Sequence, residues 1–85
     1  MTKKNEFLAQ HEVTIKKEVG ETLNGINDVL QEHGYFHGRP TFDSEVPYGV
    51  ARHVMEVVQE KLQTAGWTYE QNNKIGSRTF EIYVY

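Results

Sequence analysis

Apolar positions step by three and four along the first third of the chain. Leu8, His11, Ile15, Val19, Thr22, Leu23, Ile26, Val29 and Leu30 fall on one face at a period of 3.6, the pattern of an amphipathic helix. Glu12 and Lys16 add an i,i+4 ion pair in the better orientation, and Gly34 offers a stop after His33. The spacing predicts a helix over residues 5–33, behind a flexible tail at 1–4. Gly20 and Gly25 oppose it at about 1 kcal/mol each relative to Ala, so a bend is expected near Gly20. A rival reading makes residues 12–19 a strand, because Val13, Ile15 and Val19 also alternate with polar residues, and starts a shorter helix at Glu21.

A second helical stripe follows. Val46, Val50, Val54, Val57, Val58, Leu62 and Ala65 recur at the same spacing, and Ala51 and Met55 widen the stripe. Asp43 or Ser44 can cap, Pro47 is tolerated in a first turn, and Gly66 suits the position just past the end. A helix over residues 45–65 is predicted.

The period then changes from 3.6 to 2. Trp67, Tyr69 and Gln71 alternate with Thr68 and Glu70; Phe80, Ile82 and Val84 alternate with Glu81, Tyr83 and Tyr85. Turn residues lie between them, in Asn72-Asn73-Lys74-Ile75-Gly76-Ser77. This predicts a hairpin of strands at 67–72 and 78–85. The matching of apolar positions puts Tyr69 opposite Phe80 and Trp67 opposite Ile82, all turned inward, with Tyr83 and Tyr85 outward.

The expected fold is therefore α+β: two helices packed on a C-terminal antiparallel hairpin, in one small domain. Two strands alone are not a stable sheet. The edge of Phe80–Tyr85 needs either the rival strand at 12–19 or a neighbouring molecule.

Composition narrows the function classes. The chain has 85 residues, no cysteine and a net charge of −3. Residues 1–34 hold four Lys against six acids and residues 35–85 five basic against six acidic side chains, so no basic cluster exists to grip a duplex phosphate backbone. No apolar run approaches the ~20 residues of a membrane span, and no signal-peptide block opens the chain, so no membrane partner is expected. A soluble cytoplasmic protein is the expectation.

Candidate chemistry gathers in the segment from His33 to Asp43, which carries three aromatic residues, two His and an Arg. Its plainest role is packing, with Tyr35, Phe36 and Phe42 filling the space between the helices. A nucleotide or phosphate ligand could instead be held by Tyr35, His37 and Arg39, through stacking and charge. A metal site would have to draw on His33 and His37 with Asp43 or His53, at a spacing that matches no ligand motif. His37 with Asp43 or Ser44 can be drawn as a dyad, but no nucleophile motif or phosphate loop supports catalysis. No catalytic residue, metal site or cofactor is expected.

The reading that remains is a non-catalytic protein–protein interaction or regulatory module that associates with itself as a homo-oligomer. Tyr supplies large contact area at low entropy cost. The candidate partner-binding residues are Tyr83, Tyr85, Glu81, Tyr35 and Phe36, with the first helix seam as a further surface. By size and composition the chain resembles the accessory or inhibitor proteins of phages and mobile elements, a likeness of class with no motif behind it.

Overall fold

The computed structural model describes all residues from Met1 to Tyr85. Six elements follow one another: α1 (Lys4–Gln10), α2 (Glu12–His33), β1 (Phe36–Gly38), α3 (Tyr48–Thr64), β2 (Tyr69–Asn72) and β3 (Glu81–Val84). The expected α+β architecture is present, with helices on one face of a three-stranded antiparallel sheet. No helix is long and apolar enough to cross a membrane.

The first helical stripe is realised with its break in a different place. The chain runs through Gly20 and Gly25 in one α2 and interrupts instead at His11, whose φ of −112° and ψ of 17° separate α1 from α2. A helix interior tolerates glycine when neighbouring turns are anchored. Here Val19, Ile26 and Leu30 are buried, and they anchor turns on either side of the two glycines within one continuous α2. The Glu12–Lys16 pair forms at 3.2 Å. Gly34 ends the helix at φ 66°, and its N–H donates to the Leu30 carbonyl. Residues 12–19 are helical, so the rival strand is not formed.

α3 is shorter at its start than the predicted 45–65. Pro47 takes the N-cap position, and its carbonyl accepts from the Val50 and Ala51 N–H groups. Asp43 organises the turn before the helix: its side chain accepts from the Glu45 N–H at 3.3 Å and its carbonyl from the Val46 N–H.

The third strand comes from the aromatic segment. Phe36, His37 and Gly38 pair antiparallel with Val84, Tyr83 and Ile82, giving the sheet order β1-β3-β2. β3 is therefore the central strand, and the expected free edge at Phe80–Tyr85 does not exist. The pairing continues past β1, where Phe80 N–H donates to Pro40, Thr41 faces Thr79, and Phe42 N–H donates to Arg78.

This continuation also explains a corrected register. Tyr69 faces Val84 instead of Phe80, and Gln71 faces Ile82. Residues 78–80 are taken up by the segment after β1, so β2 meets β3 four residues further on and the connection lengthens. An even displacement keeps every side chain on its own face. Phe80, Ile82 and Val84 accordingly point inward and are fully buried, as the alternation requires. Trp67 lies outside β2 and packs, half-buried, on the rim of the core.

One apolar core joins the layers. It combines Val19, Ile26 and Leu30 of α2, the α3 stripe from Val50 to Leu62, and the inner face of the sheet. Phe42 meets Phe80 edge-on at 5.7 Å. α2, at 22 residues, runs about 33 Å. The molecule extends 45 Å in its long direction, and α1 buries no residue.

Candidate interaction face

The helices cover one side of the sheet only. Strand alternation sends Glu81, Tyr83 and Tyr85 to the other side, together with Glu70 of β2 and His37 of β1. Register then decides which of them meet. His37, Tyr83 and Glu70 form one row across all three strands, and Glu81 lies opposite Asn72 in the next.

The His37 ring stacks on Tyr83, with centroids 4.3 Å apart and planes 7° from parallel. Its Nε2 also lies 3.3 Å from Glu81 Oε2. The same oxygen accepts from Arg39 Nε at 3.3 Å and Nη2 at 3.2 Å. The His37 bond first, then Arg39, hold the Glu81 carboxyl below its ordinary value. Desolvation followed by the Glu81 charge pushes the Tyr83 phenol up. Tyr85 donates its hydroxyl to Glu70, and this bond raises the Tyr85 phenol. Four side chains, His37, Arg39, Glu81 and Tyr83, are thus linked in a network, and the Tyr85–Glu70 pair lies beside it.

Of the residues singled out from sequence, Glu81, Tyr83, Tyr85, His37 and Arg39 come together on this face. Tyr35 is exposed, one residue before β1. Phe36 is separated from them: it turns to the helix side and packs against the core. Its ring closes over Gly38 so tightly that a Cβ there would lie 2.6 Å from Phe36 Cζ. Asp43 and Ser44 are bonded to each other in the turn before α3, at 3.5 Å, away from His37. No three His, Asp or Glu side chains converge as a ligand set for a metal ion.

Glu70 and Asn73 were not visible as contributors from sequence. Glu70 matters because the register places it beside Tyr83. Asn73 staples the long β2–β3 connection: its Nδ2 donates to the Ser77 and Thr79 carbonyls at 2.9 and 2.8 Å, and its Oδ1 accepts from Tyr48 at 3.2 Å. Beside this staple the face ends in a polar hollow lined by Arg39, Asn72, Lys74, Ser77, Thr79 and Glu81. Comparison with protein-family models, with characterised proteins and with solved structures finds no match to this chain.

Proposed function

We propose that this chain is a non-catalytic protein-binding module, that the helix-free face of its sheet meets the partner, and that it also associates with itself. The observation that carries the reading is the prearranged set of His37, Arg39, Glu81 and Tyr83, joined by Tyr85 and Glu70. Side chains already held in place lose less freedom on binding, so more of the contact energy appears as affinity. The rings offer flat apolar area, and the surrounding charges set orientation and partner choice. A module that binds without chemistry acts by occupancy, which suits a regulatory or inhibitory role.

Aromatic rings on an open sheet also suit stacking against unpaired bases. Two features favour protein over nucleic acid. Glu70 and Glu81 place two carboxylates among the rings, and Arg39 is already committed to Glu81. A phosphate backbone would meet a face whose central cation is neutralised, with Lys74 only at its margin.

The test compares immobilised wild-type protein with a Tyr83→Ser/Tyr85→Ser variant and a Lys16→Glu control in capture from native-host lysate. The expected result is a protein retained in stoichiometric amount by wild type and control and lost by the face variant, with circular dichroism unchanged. Equal retention by all three, or none by any, overturns the reading. Tight binding of a single-stranded oligonucleotide, lost in the same variant, would replace it with the stacking function.

A further inference from the structure

Each edge of the sheet has a different character. On the β1 side, the Arg39 carbonyl is occupied by the Thr41 hydroxyl at 3.1 Å, and Pro40 follows immediately. Proline and local side-chain bonds blunt an edge against pairing. On the β2 side there is no proline, and the one local side-chain bond, Tyr69 to Gln71, leaves the backbone groups free.

Thr68 and Tyr85 exchange both backbone hydrogen bonds, at 2.7 and 3.0 Å. Alternation from that pair turns the peptide groups of Glu70 and Asn72 toward β3 and those of Tyr69 and Gln71 away from it. No further strand lies on that side. Just beyond the strand, Asn73 likewise has no backbone partner for its N–H group, and the chain then turns, with the Ser77 N–H donating to the Lys74 carbonyl at 2.8 Å. Ile75 is 94 % exposed, a large apolar side chain with nothing to cover it. The Asn73 side-chain staple anchors this stretch of chain.

We propose that the β2 edge pairs antiparallel with the β2 edge of a second copy of this chain, centred on Asn72, to form a continuous six-stranded sheet. The inference deepens the self-associating part of the function proposed above, on which it rests, and names its surface. Charge selects the register. Centring on Asn72 brings Glu70 of each copy opposite Lys74 of the other, whereas centring on Glu70 would oppose two carboxylates. The same register matches Gln71 with Asn73, whose peptide groups are both free of β3. The edge is short, so the dimer should be weak, with Kd in the micromolar range. Joining the edges sets two copies of the Tyr83–Tyr85 face side by side on one surface, which would let a repetitive or two-fold partner bind with avidity.

Sedimentation equilibrium across a concentration series tests this. Wild type should show a monomer–dimer equilibrium. Glu70→Lys and Lys74→Glu should each raise Kd by at least about tenfold, and the combined Glu70→Lys/Lys74→Glu swap should restore it. Gln71→Pro removes an edge N–H that β3 does not use, so it should weaken the dimer while lowering the urea midpoint no further than Tyr69→Phe, which loses the same Tyr69–Gln71 bond. Amide exchange at Gln71 and Asn73 should slow as protein concentration rises. A monomer at up to about 1 mM overturns the proposal and removes self-association from the function, leaving the capture experiment to judge the foreign partner. A dimer that none of these variants moves overturns the proposal alone, since self-association then uses another surface.

Discussion

His37 and Tyr83 lie face to face across the β1–β3 pair, 4.3 Å between ring centroids, although 46 positions separate them in the chain. The contact exists because a three-residue strand docks on the central one in a register that places the two rings directly opposite. The same register carries the His37 ring edge to Glu81.

The Glu81 carboxyl is held below its ordinary value of 4.5, chiefly by the His37 bond and then by Arg39. A depressed folded-state value contributes stability above the unfolded pKa and loses it as pH falls through the folded value. Urea midpoints should therefore decline below about pH 4.5. Glu81→Gln, with no charge to lose, should decline less over the same interval. A constant difference between the two proteins at every pH would show that the carboxylate adds nothing.

The opposite sign holds for Tyr69. Burial pushes its phenol far above the ordinary value of 10.0. Its stabilising contribution is present below pH 10 and is lost as pH rises toward the folded-state value. Among the five tyrosines, Tyr69 should form phenolate only together with unfolding. Following phenolate absorbance and circular dichroism in one alkaline titration checks this. Tyr69→Phe should extend the folded range upward, at a cost of about 1 kcal/mol or less at neutral pH from the lost bond to Gln71.

Gly38 is required by its neighbour. A methyl group there would lie 2.6 Å from the Phe36 ring, which is packed on the core. Gly38→Ala should cost about 1–3 kcal/mol by forcing that ring aside. Phe36→Leu should recover part of the loss when combined with it, although alone it destabilises. A double-mutant cycle in urea gives the coupling, and strict additivity would mean that the two positions are independent.

Asn73 should matter more than its place in a loop suggests. Asn73→Ala strips donors from two carbonyls and an acceptor from Tyr48, at about 1–3 kcal/mol. Asn73→Asp keeps the acceptor and removes both donors, so it should fail to rescue. Wild-type stability in the Asp variant would place the hold on this loop elsewhere, for example in the Arg78 bond to the Val46 carbonyl at 2.6 Å.

Both long helices were legible in the chain because their signal is local. Ile26 and Leu30, or Val50, Val54 and Val58, share a face by the geometry of one helix, whatever lies opposite. The inward set Phe80, Ile82 and Val84 and the outward set Glu81, Tyr83 and Tyr85 were legible for the same reason, since alternation belongs to a single strand. Strand partners have no such local code. Phe36-His37-Gly38 is too short to show a period, and it becomes a strand only because β3 offers a hydrogen-bonding edge and the core accepts Phe36. Its arrival moved β3 from the edge to the centre and captured residues 78–80, which shifted β2 along while preserving every face. Periodicity along the sequence determined which side chains face the core and which face away. Tertiary pairing, through long-range backbone bonds, decided that His37, Arg39, Glu81 and Tyr83 stand together and that the β2 edge is left open.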